Sequence, residues 1–81
     1  MENTKSKAEM LETLRQMLRD ALRLRREGAA YSRLARANGY IDGYMRVLLE
    51  SGIAEYRELL AVVGDERRRA DGPAAAELVV A

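Results

Sequence analysis

Apolar residues recur three and four apart along almost the whole chain, and no stretch alternates with the period of a strand. The pattern predicts an all-α protein of two long antiparallel helices and a short third helix, self-associating into a helical bundle. The first helix is expected over about 7–27. Ser6 and Glu9 form the S-x-x-E pattern of a capping box at its start, and Gly28 is a natural left-handed stop at its end. Between them Met10, Leu11, Leu14, Met17, Leu18, Ala21, Leu22 and Leu24 cover a face too wide for one neighbour, so this helix should contact two.

The second segment, 29–51, places Tyr31, Leu34, Asn38, Ile41, Met45 and Leu48 on one stripe, with Leu49 at its edge and Ser51-Gly52 as the stop. Asn38 then falls within the apolar face. A third helix over about 54–69 should turn Ile53, Tyr56, Leu59, Leu60 and Val63 inward, with its end beyond Gly64 prone to fray. Glu55 and Glu58 in its first turn and Arg67, Arg68 and Arg69 in its last suit the helix dipole. Asp71-Gly72-Pro73 separates a single domain, 1–71, from a flexible alanine-rich tail, 72–81.

Two glycines disturb the second segment. Each costs about 1 kcal/mol relative to alanine inside a helix, and both Gly39 and Gly43 fall opposite the apolar stripe, beside Tyr40 and Val47. Small residues four apart, with Ala35 near them, let another backbone approach closely. On this reading the second helix is continuous and central, and Asn38 on an apolar seam pairs with its twin to fix register. The interface expected from it comprises Leu14, Met17, Leu18, Ala21, Leu34, Asn38, Gly39, Ile41, Gly43, Met45 and Leu48.

The other reading breaks the helix at Asn38-Gly39, a strong turn dipeptide. Tyr31 to Gly52 resembles the helix-turn-helix of the lambda-repressor type. Leu34-Ala35 would lie in its first helix, Gly39 at the turn four residues on, Met45 and Leu48 at buried positions of its second helix, and Glu50-Ser51-Gly52 at the close. The resemblance implies a DNA-binding protein, with Arg33, Arg36 and Arg46 as nucleic-acid contacts. The chain departs from the pattern at Asn38, which stands where an apolar residue is usual. The outward residues of the recognition helix would also include Asp42 and Glu50, which repel phosphates.

Charge sharpens the choice without closing it. Lys5 to Arg46 holds ten basic and five acidic residues, and Val47 to Ala81 holds four basic and seven acidic. The basic half can face phosphates, or the acidic half of its own or a neighbouring chain. Arg15, Arg19, Arg23 and Arg26 line one flank of the first helix, where Glu12, Asp20 and Glu27 are close enough to pair locally.

With 81 residues the core is small, and self-association or a protein partner is the usual remedy. The chain has no cysteine and no histidine, which excludes disulfides, thiolate zinc sites and imidazole acid–base chemistry. Ser32 and Ser51 lack a histidine partner, and the glycines fit no phosphate loop. No enzyme, catalytic residue, cofactor or metal site is expected. Tyr31, Tyr40 and Tyr44 read as packing anchors with one polar end. The apolar runs are too short to span a membrane and no leader pattern is seen, so a cytoplasmic setting without membrane contact is expected.

Overall fold

The computed structural model describes residues 5–80 in backbone and residues 5–72 in side-chain surroundings. Three helices follow in order: α1 Lys7–Arg26, α2 Tyr31–Glu50 and α3 Tyr56–Val80. They pack against one another as a small all-α bundle. No strand occurs among the described residues.

Helix α1 begins at the predicted capping box. The Ser6 amide donates to Glu9 Oε1 at 2.8 Å and the Glu9 amide donates to Ser6 Oγ at 3.1 Å, which satisfies two otherwise orphaned donors. It ends with Gly28 at φ 77°, where the Gly28 amide donates to the Arg25 carbonyl and the Ala29 amide to the Leu24 carbonyl. The same pair of bonds recurs at Gly52, from Gly52 to Leu49 and from Ile53 to Leu48. Both stops are glycine caps in left-handed space, which a side chain would strain.

Helix α2 is continuous. Its backbone stays helical through Asn38, Gly39 and Gly43, so residues 31–52 do not form the two-helix unit with a turn at Asn38-Gly39. Apolar contacts of Ile41 and Leu48 in the shared core outweigh the turn preference of that dipeptide. Unlike α1, α2 starts without a side-chain cap, on Ala30, and carries no acid in its first turn.

The third helix is not short. It runs past Arg69 and is interrupted only at Gly72, whose φ of 68° and ψ of −165° leave helical space. Backbone from there to Val80 is again helical. The flexible tail expected over 72–81 falls, in its side chains and in Ala81, outside the described residues.

The core consists of Leu14, Leu18 and Ala21 from α1, Ile41 and Leu48 from α2, Leu59 and Val62 from α3, and Ala54 from the preceding turn. The wide face of α1 does meet two neighbours. α1 packs on both α2 and α3, whereas α2 and α3 barely touch. The central helix is therefore α1, not α2 as the glycine argument implied, because α1 has the broader apolar face and α2 offers only one. The inward stripe of α3 is also rotated from the expected one. Leu59, Val62 and Glu66 are buried, while Tyr56 and Leu60 are exposed.

Candidate functional site

Glu66 explains that rotation. It lies one turn beyond Val62 on the inward stripe of α3, with only 1% of its surface exposed. Burying a carboxylate is costly unless it is paired and hydrogen-bonded. Here two arginines from α1 satisfy it. Arg19 Nε donates to Glu66 Oε1 at 2.9 Å and Arg19 donates a second bond to Oε2 at 3.3 Å, while Arg15 donates to Oε2 at 3.1 Å. The Arg19 hydrogen bond, helped by Arg15, outweighs desolvation and holds the Glu66 carboxyl below the usual carboxylate range. The same contact raises Arg19 above its ordinary value.

Two further ion pairs extend this seam. Arg15 reaches Asp65 at 3.6 Å, and Lys7 reaches Glu58 at 2.6 Å. Glu58 also accepts from the Glu55 amide at 2.8 Å, so one carboxylate both caps α3 and ties it to the start of α1. Its pKa is lowered, first by Lys7 and then by that amide. The basic first half and the acidic second half of the chain thus meet within one molecule. Local pairs add to this on α1, where Arg19 lies 3.6 Å from Glu12 and Arg23 lies 3.3 Å from Asp20. Glu66 was absent from the sequence reading. The signal was its spacing four and seven residues from Val62 and Leu59 opposite a flank rich in arginine.

Helix α2 presents a different chemistry. None of Arg33, Arg36, Asp42, Arg46 and Glu50 forms an ion pair among the described residues. No side-chain hydrogen bond joins α2 to α1 or α3 there either. Its face toward α1 is apolar. Its outer face carries Gly39 and Gly43, and a Cβ built at either would meet nothing within 4 Å. Beside them stand Tyr40, 65% exposed, and Val47, 59% exposed. No described residue makes a close approach at these glycines, so packing among the described residues does not account for them.

The expected interface residues therefore divide. Leu14, Leu18, Ala21, Ile41 and Leu48 are buried in the chain's own core, Met17 and Met45 are half-buried against it, and Leu34 is half-buried on a groove. Asn38, Gly39 and Gly43 are exposed. Asn38 is not in the middle of the apolar face. It sits at the edge, on an open groove of about 820 Å³ that runs between α2 and α3 over the floor of α1. That edge lies well round the helix from Gly43, so Asn38 and the glycines belong to different surfaces. Of the tyrosines, Tyr44 packs against the core, while Tyr31 and Tyr40 are exposed.

These elements define a small all-α bundle built on α1, with one helix clamped to it by charge and another by apolar contact alone. No helix among the described residues is long and apolar enough to cross a membrane. Compared with known proteins, the chain matches no family model, no curated protein and no solved structure.

Proposed function

We propose that this chain is a non-enzymatic helical interaction module that associates with itself through the outer face of α2. The observation that carries this reading is the exposed patch of Tyr40 and Val47 around Gly39 and Gly43. Two mid-helix glycines cost about 2 kcal/mol together relative to alanine, with no packing among the described residues to offset them. Close approach of a second helix supplies an offset, because glycine lets backbones come together and the flanking tyrosine and valine then leave water.

Light scattering on the unmodified protein from low to high micromolar concentration tests the reading. Mass should rise with concentration. A monomer throughout overturns it. Gly39→Leu or Gly43→Leu should prevent the rise and leave helicity intact, since neither position is occluded within the chain.

A further inference from the structure

The outer face of α2 holds more than small residues. At 100° per residue its centre is Gly43, with Glu50 and Arg36 within about 20° of that line, Gly39 and Val47 within about 40°, and Tyr40 and Arg46 within about 60°. The charges on it are free of partners among the described residues. Resting on the self-association reading above, we propose that two copies pair antiparallel through this face, about a two-fold axis at Gly43.

This register makes the face complementary to itself, as a two-fold interface requires. Arg36 of each copy stands opposite Glu50 of the other. Val47 and Tyr40 lie on the same flank of the Gly43 line, so Val47 of each copy packs on the Tyr40 ring of the other, and on the opposite flank the Arg46 stem crosses the bare backbone at Gly39. Gly43 faces its own twin, where the backbones come closest.

Other arrangements fail on charge or on apolar cover. In a parallel pair Arg36 and Glu50, both near the centre line, would each oppose their own copies. Shifting the antiparallel axis to Ile41 sets Arg36 against Arg46. Shifting it to Gly39 leaves Val47 facing Ser32 and Tyr31 and takes the partner away from Glu50. Only the Gly43 register pairs opposite charges while covering both exposed apolar side chains.

Cysteine cross-linking and charge exchange test the register. Under mild oxidation at high micromolar concentration Gly43→Cys should give a covalent dimer, because the disulfide traps even the pair that the added side chain loosens, and Ser32→Cys, adjacent to its twin only in a parallel pair, should not. Arg36→Glu or Glu50→Arg alone should weaken association about tenfold, because each substitution acts twice across a two-fold axis. The double variant Arg36→Glu/Glu50→Arg should return to within about threefold of the parent. A concentration-dependent dimer that neither cross-links at position 43 nor recovers in the double variant overturns this register but leaves self-association standing. A monomer at all concentrations overturns both. Helical circular dichroism of each variant, read at the same concentration, identifies any loss that comes from unfolding.

Discussion

The two interfaces of α1 are built on different physics. Against α3 it holds a register through Lys7–Glu58, Arg15–Asp65 and the two arginines on Glu66. Against α2 it makes apolar contact, with no side-chain hydrogen bond or ion pair among the described residues. Charge-assisted hydrogen bonds are directional, so the α1–α3 seam specifies rotation and axial position together. Apolar burial is not directional, and a helix held that way keeps its polar groups available. The difference marks α3 as the element fixed in register and α2 as the one whose charged side chains stay unpaired among the described residues.

Cutting the apolar seam should have the largest effect. Leu48 is 1% exposed and joins α2 to the core, so Leu48→Ala should cost about 3 kcal/mol of unfolding free energy, insensitive to salt. Chemical denaturation at low and high ionic strength checks both halves of that statement. A loss below about 1 kcal/mol would mean that α2 does not depend on this seam.

The charged seam should respond next. Glu66→Ala leaves Arg15 and Arg19 side by side without their shared carboxylate. Because both arginines keep partial access to water, the loss should be about 2 kcal/mol, less than for a fully buried pair. Unlike the Leu48 variant, it should vary with pH. The Glu66 carboxyl is held below its ordinary value of 4.5 in the folded chain, so its contribution is complete above that value. It is lost as pH falls through the lowered folded value. Thermal melts from pH 6 downward should therefore show a flatter acid limb in Glu66→Gln than in the parent, with the remaining slope owed in part to Glu58, which shifts in the same direction.

This contrast also explains what could be read from the chain. The capping box at Ser6, the stops at Gly28 and Gly52 and the double contact of α1 were legible, because each rests on local backbone chemistry or on the width of one apolar face. The rotation of α3 was not. It depends on Glu66 finding Arg15 and Arg19 across 51 and 47 residues of sequence, and a glutamate on a stripe reads as an interruption until its partners are known. For the same reason periodicity alone turns Tyr56 and Leu60 inward and leaves the helix beyond Gly64 loose, whereas Glu66 pins it to α1. Asn38 misled differently. A wheel places it near the stripe, but whether that edge meets a neighbour depends on where α3 lies, and α3 leaves a groove there.

The smallest effect should be the most telling, because it has opposite signs in the two states of α2. Gly43→Ala adds a methyl group where nothing lies within 4 Å, at a helical position. In the isolated chain it should raise stability by about 0.5–1 kcal/mol, through reduced freedom of the unfolded state and better helix propensity. In an antiparallel pair the same methyl stands between two backbones at their closest point, so association should weaken. Melts at low micromolar concentration read the first effect and scattering at high concentration reads the second. An alanine that improves both would show that Gly43 does not lie between two chains. The proposed two-fold pairing requires the signs to differ.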